Sequence, residues 1–282
     1  MMRIAIAGTG LIGGSLATDL KKRGFASTVT GIETNPEHAR VSKAKGLVDR
    51  VGEMESAIDS SDLIILATPT DTIKSVLPRV LDRVAGTDKV VTDVGSAKAG
   101  IAEVVKDHPA RKQYVAAHPM AGTEYSGPGA AKSSLFDNKT AIICDARLSD
   151  PDALEAIKKM FNVLNMNTIF MDSGEHDISA AYVSHFSHII SFALSLSVQE
   201  KEKNYKKILA MAGGGFDSTV RLAKSSPGTW TPVLLENAPY INEVIDNYIE
   251  KLYQFRKAIQ NSDRQKIDNL IIEANKIENI LM

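Results

Sequence analysis

The stretch RIAIAGTGLIGGSLATDL, residues 3–20, restricts this chain more than any other. A short apolar run leads into three glycines, Gly8, Gly10 and Gly13, and then into an amphipathic segment of helical length. In a G-x-G-x-x-G loop between a strand and a helix, the first glycine makes the tight turn and the second lets a pyrophosphate approach the backbone. The third lets helix and strand pack closely, while the helix N-terminus faces the negative charge. Glu33 follows Gly13 by twenty residues, at the end of the second apolar run. A carboxylate there accepts hydrogen bonds from both hydroxyls of an adenosine ribose and repels a 2′-phosphate, and no arginine follows it before Arg40. The expected cofactor is therefore NAD rather than NADP. Its expected contacts are Gly8, Gly10, Leu11, Ile12, Gly13, Glu33 and Thr68, the last just beyond the run DLIILA.

The apolar, β-branched runs recur at 3–8, 28–33, 62–67, 89–94, 114–118, 140–145 and 168–172, with amphipathic stretches between most of them. This alternation predicts a doubly wound, Rossmann-type α/β domain with a parallel sheet. After MDSGEHD only helical periodicity is found, so the expected division is a dinucleotide-binding domain at 1–172 and an all-α substrate-binding and dimerisation domain at 173–282. The late helices carry long apolar faces, which either pack within their own domain or meet a second copy; a homodimer through the C-terminal helices is the expectation. The segment 180–198 is long enough to span a membrane, but Ser184, His188, Ser191 and Ser195 draw a polar stripe along it, as on a helix lining a polar cavity.

Thirty-three basic and 34 acidic side chains leave a net charge of −1, which argues against a nucleic-acid binder. The one cysteine, Cys144, has no partner for an intramolecular disulfide, and MMRIAIAG reads directly into a strand rather than a leader. Both point to a cytoplasmic protein.

AAHPMAG, residues 116–122, ends a strand on His118, locked by Pro119. A histidine in an apolar segment is ordinarily a core residue. Ligands of open α/β sheets, however, bind outside the carboxyl ends of the strands, and His118 lies at such an end. It is therefore expected to be catalytic.

GTGLIGGSLA, DVGSAK (93–98), HPMAGTE (118–124), SHFSH (184–188), GGGFDSTVRLAKSSPGTW (213–230) and LLEN (234–237) follow one another in an order that resembles the prephenate and arogenate dehydrogenases of tyrosine biosynthesis. The resemblance runs over essentially the whole chain. It implies oxidative decarboxylation of a cyclohexadienol, with hydride passing to NAD and the ring carboxylate leaving as CO2. It also implies that His118 draws the proton from the C4 hydroxyl, titrating near physiological pH, and that Ser96 bonds and orients His118. Read on its own, Ser96 also fits an N-cap for the helix starting near Ala97, a role compatible with the first. By the same resemblance Arg221 binds a substrate carboxylate, Trp230 lines the pocket and His188 faces the substrate side chain, with His185 in support. Glu124 and the pair His176–Asp177 match gating positions, although a solvated surface pair fits the sequence as well. The family often has proline between the two histidines where this chain has Ser187.

Two other readings remain at this level. A relative of the β-hydroxyacid dehydrogenases would use a lysine, for which Lys224 is available, but leaves the HPMAGTE loop without a task. A non-catalytic dinucleotide sensor is the second. The three-residue spacing of His185 and His188 has no further cluster to complete a metal site, and no metal is expected. Prephenate is the expected substrate, with arogenate the alternative.

Overall fold

The computed structural model describes residues 1–279; residues 280–282, the end of the stretch IDNLIIEANKIENILM, lie outside the described residues. Eight strands form one sheet: β1 (Met2–Ala7), β2 (Ala26–Ile32), β3 (Arg50–Val51), β4 (Leu63–Leu66), β5 (Val90–Asp93), β6 (Tyr114–Pro119), β7 (Thr140–Cys144) and β8 (Asn167–Met171). Their order is β3-β2-β1-β4-β5-β6-β7-β8. Every pairing is parallel except β6 with β7. This is the Rossmann-type sheet expected, with one strand more and with β7 and β8 running opposite to the other, parallel strands. β3, two residues long, is too short to show a period of two.

Between the strands lie α1 (Leu11–Lys22), α2 (Pro36–Ala44), α3 (Met54–Asp59), α4 (Thr70–Val84), α5 (Ala99–Glu103) and α6 (Pro151–Val163). Parallel strands are covered on both faces, and their side chains alternate between two cores. Ile4 and Ile6 of β1 join Leu16 and Leu20 of α1 and Phe161 of α6 on one face. Ala5 and Ala7 join Ile73, Leu77 and Leu81 of α4 and Tyr114 of β6 on the other.

The last strand ends at Met171, and every later element among the described residues is helical. α7 (Ser173–Ala180) runs through a π-helical turn (Ala181–His185) into α8 (Phe186–Glu202), followed by α9 (Gly214–Val220) and α10 (Pro227–Glu236). The helix passes through Ser187 without a break, which a proline at that position would oppose. Ser173–Glu202 is long and apolar enough to cross a membrane. Polar residues within it nevertheless have protein partners: Ser191 donates to the Thr219 carbonyl (2.6 Å), and the fully buried His185 meets the Asn237 amide through Nδ1 (3.0 Å). Met1–Asn237, sheet and α7–α10 together, is one compact unit, and Ala238–Met282 is a second. The change from strands to helices and the division into compact units thus fall at different places. Within the second unit, α11 (Ala238–Gln260) and α12 (Arg264–Asn275) are amphipathic, and Asp263 caps α12 by accepting from the Lys266 N–H (2.9 Å).

The strand order reverses at β1, whose neighbours are β2 and β4, and the glycine loop sits at that reversal. Gly8 has φ +87°, and a Cβ there would lie 2.5 Å from the Ala67 carbonyl oxygen. A Cβ on Gly13 would lie 1.9 Å from the Gly8 carbonyl oxygen, whereas one on Gly10 would meet nothing within 4 Å. Gly13 is therefore required by packing, and Gly10 is not. Gly13→Ala is expected to cost about 1–3 kcal/mol, a few degrees of Tm in a chain of this size. Gly10→Ala should leave Tm near the wild-type value; equal losses in the two variants, read by thermal melting, would contradict this division of roles.

Candidate active site

The glycine loop presents the start of α1 to whatever lies outside β1. The first intrahelical bond is Gly14 N–H to Gly10 O (2.8 Å), which leaves the N–H groups of Leu11, Ile12 and Gly13 free of helical partners. Gly10 caps this helix without a side chain. Thr68, past the end of β4, borders Gly8: its backbone nitrogen would lie 3.0 Å from a Cβ there. Glu33, one residue beyond β2, accepts from Thr9 N–H (3.1 Å), Thr9 Oγ1 (3.2 Å) and Asn35 N–H (3.1 Å). The carboxylate is fixed to the loop itself, and its oxygens keep capacity for ribose hydroxyls. Arg40, the first arginine after it, is engaged by Glu37 at 2.6 Å. These residues fit a dinucleotide: a side-chain-free helix start for the pyrophosphate and a held carboxylate for the ribose.

His118, the last residue but one of β6, lies at the same carboxyl edge of the sheet and is 7% exposed. Its Nδ1 lies 2.8 Å from Nε2 of His176, and His176 Nδ1 lies 2.7 Å from Oδ1 of Asp177. Asp177 also accepts from Lys98 N–H on Oδ1 (2.7 Å) and from Ala99 N–H on Oδ2 (2.8 Å). The sequence reading is corrected here in three respects. His176 and Asp177 are not a solvated surface pair; they are 1% and 2% exposed, behind His118. Ser96 makes no hydrogen bond to His118; the ring's partner is His176. Nor does Ser96 cap the following helix, which begins at Ala99 and receives its cap from Asp177, far away in sequence.

Burial holds the His118 imidazole well below the ordinary histidine pKa of 6.5, with His176, Lys98 and His185 adding to the effect. The expectation that it titrates near physiological pH therefore fails: at neutral pH His118 is an uncharged base. Beneath it, Lys98 is completely buried. Its Nζ donates to the Asp93 carboxylate and to the Ala117 carbonyl (2.8 Å), while Tyr114 OH donates to the other Asp93 oxygen (2.6 Å).

Asn237 extends the network into the helices. Its Nδ2 donates to the Asp177 carbonyl (2.8 Å) and to Nδ1 of His185 (3.0 Å). His185 lies edge-on to Trp230, with ring centroids 5.9 Å apart, and Trp230 stacks on His188 at 3.4 Å. Burial pushes the His185 pKa down to about 4 and also lowers that of His188, to which the nearby Arg221 charge adds. Arg221, half exposed, pairs with Glu124 at 3.0 Å; a hydrogen bond from Glu124's own backbone N–H, and then the guanidinium, hold that carboxyl below its usual range. Lys224 is exposed and pairs with Asp217 (3.5 Å), so nothing here gives it the setting of a catalytic lysine. One continuous series of contacts thus joins His118 to Trp230 and His188. Lys98, Asp93 and Asn237 had no assigned role from sequence. Their signal was a lysine, an aspartate and an asparagine at the ends of the motifs DVGSAK and LLEN, with no pattern naming their partners.

Comparison with known proteins gives the following. The family model described as prephenate dehydrogenase, nucleotide-binding domain, matches residues 16–170, and that described as prephenate dehydrogenase, dimerization domain, matches 172–273. A prephenate dehydrogenase of Bacillus subtilis is 32% identical over 266 residues, covering 94% of this chain and 72% of its own. The crystal structure of Aquifex aeolicus prephenate dehydrogenase with hydroxyphenyl propionate and NAD+ superposes with a TM-score of 0.86 at 26% identity, covering 99% and 98% of the two chains. Synechocystis arogenate dehydrogenase superposes with a TM-score of 0.77 at 26% identity over the full length of both.

Three neutral histidines in a buried site make stability depend on pH. The folded pKa of His118, His185 and His188 lies below the value near 6.5 that the unfolded chain has, so the unfolded chain binds more protons as pH falls. Their contribution is complete above about 6.5 and declines below it, for His185 down to about pH 4. Tm is expected to drop between pH 6.5 and 5, above the range in which carboxylates titrate. A flat Tm through that interval would contradict neutral burial.

Proposed function

The chain belongs to the prephenate dehydrogenase family, and on that premise we propose that it catalyses NAD-dependent oxidative decarboxylation of prephenate to 4-hydroxyphenylpyruvate, in tyrosine biosynthesis. The observation that carries the reading is His118: a neutral, buried imidazole at the carboxyl edge of the sheet, the same edge that carries a loop shaped for a dinucleotide. NAD, when bound, supplies the hydride acceptor. His118 takes the proton of the C4 hydroxyl as the C4–H bond gives up its electron pair. The bond from the ring to its carboxylate then breaks, its electrons complete the aromatic ring, and CO2 leaves. His118 returns the proton to the oxygen, which becomes the phenol, so no net proton is released. Aromatisation supplies the driving force; the protein positions, desolvates and borrows one proton.

Arg221 is the carboxylate-binding group in this reading, because its planar fork suits a carboxylate and its present partner, Glu124, shows that it accepts one. His188 and Trp230 form the stacked wall beside it. Prephenate is favoured over arogenate in keeping with the Bacillus subtilis relative, a prephenate dehydrogenase. NAD is favoured over NADP by Glu33. The exposed apolar residues of α11 and α12, among them Ile249, Leu252, Tyr253, Ile271 and Ile272, support a homodimer through the C-terminal helices. A cytoplasmic location, in keeping with the single buried cysteine, belongs to the same reading.

Incubation with prephenate and NAD is expected to give NADH and CO2 in equal amounts, with kcat/KM at least about tenfold lower for NADP and for arogenate. Saturable NAD binding without turnover of either cyclohexadienyl acid would favour the sensor instead. For His118→Asn, kcat should fall by roughly 10² to 10⁴ with NAD affinity retained. The acidic limb of the wild-type kcat/KM profile should lie below pH 6.5 and vanish in the variant. A destabilised variant with wild-type turnover would remove His118 from the chemistry.

A further inference from the structure

A base of this kind needs its free lone pair on the nitrogen that faces the substrate, and an imidazole can carry its proton on either nitrogen. Here the surroundings decide. The Asp177 carboxylate is an acceptor only, fixed by the Lys98 and Ala99 N–H groups. The 2.7 Å contact at its Oδ1 therefore requires a proton on Nδ1 of His176. Nε2 of a neutral His176 is then bare and accepts from Nδ1–H of His118 across 2.8 Å. The same polarity leaves Nε2 of His118 bare. Reversing it would set a bare His176 nitrogen against carboxylate oxygen, two acceptors at hydrogen-bond distance.

We propose that His176 and Asp177 are positioning residues for the reaction, a carboxylate–imidazole–imidazole chain that holds His118 in the tautomer able to accept the substrate's hydroxyl proton. The proposal rests on the reading of His118 as the base. It also accounts for how a buried ring tolerates the charge it borrows. When Nε2 takes the proton, the imidazolium directs Nδ1–H at His176, whose own N–H is directed at Asp177. The other groups facing His118 are Lys98, which is matched by Asp93, and His185 from the π-helical turn. None of these is an acid free to balance a new positive charge. Asp177 fills that role through one intervening ring.

Histidine-labelled enzyme observed by nitrogen NMR reads the tautomer directly, with the His118 signals assigned from His118→Asn. Wild type is expected to show His118 protonated on Nδ1 and bare on Nε2. His176→Leu removes the acceptor while Asp177 keeps its cap; His118 should move its proton to Nε2 and kcat should fall about 10² to 10⁴, with KM and NAD affinity within about twofold. His176→Gln can place an amide oxygen against Nδ1–H, so it should restore the tautomer and most, though not all, of kcat. A wild-type His118 protonated on Nε2, as a doubly protonated His176 would impose, overturns the proposal. So does a His176→Leu enzyme with wild-type kcat. Should His176→Leu not fold, the wild-type spectrum and the His176→Gln rates decide. Should wild type turn over neither prephenate nor arogenate, the functional reading fails while the tautomer measurement still stands.

Discussion

The carboxylate of Asp177 is the fixed point of this site. One side chain on the first helix after the sheet accepts from the two backbone N–H groups that open α5 and from the ring behind His118, and its own carbonyl accepts from Asn237. The β5–α5 loop, the end of β6, α7 and the residue after α10 are thereby held in one register. Below it lies the Lys98–Asp93 pair, fully buried and completed by Tyr114 OH and the Ala117 carbonyl. Such a pair contributes little net stability, but losing one partner would strand a buried charge, at about 3–5 kcal/mol. Its placement directly under the strand that presents His118 makes rigidity there its clearest consequence.

The two ends of the site differ in kind. Around His118 every ring and carboxylate is buried and each contact is directional, so the geometry exists before any ligand arrives. At the Arg221 end, the pair with Glu124 is half exposed and screened by solvent, so a substrate carboxylate can replace or share that partner at little cost. A preformed base and an exchangeable cation suit a reaction in which the hydroxyl must be placed closely and the carboxylates must be captured and released.

The sheet was legible because its runs are apolar on both faces and its glycine loop sits at a known junction. β3 was not, being two residues long. His118, Arg221, His188 and Trp230 could be named from motifs, and the structure brings them, with Glu124, into one series of neighbours. What sequence could not supply was pairing across long separations. Ser96 is the nearest preceding residue to α5 of a type that caps helices, and local reasoning made it the cap; Asp177, 78 residues beyond Ala99, does that work. Adjacent charged and polar residues such as His176–Asp177 read as surface unless the buried partners that satisfy them are known. The pKa of His118 was missed for the same reason, since desolvation is a property of the packed neighbours.

The most direct test is a crystal structure of this protein with NAD and 4-hydroxyphenylpyruvate. The account predicts the phenol oxygen within hydrogen-bond distance of His118 Nε2, His176 still on Nδ1, the pyrophosphate at the N-terminus of α1 and the side-chain carboxylate on Arg221. A ring seated away from His118, or a His118 turned so that Nε2 faces His176, would contradict it.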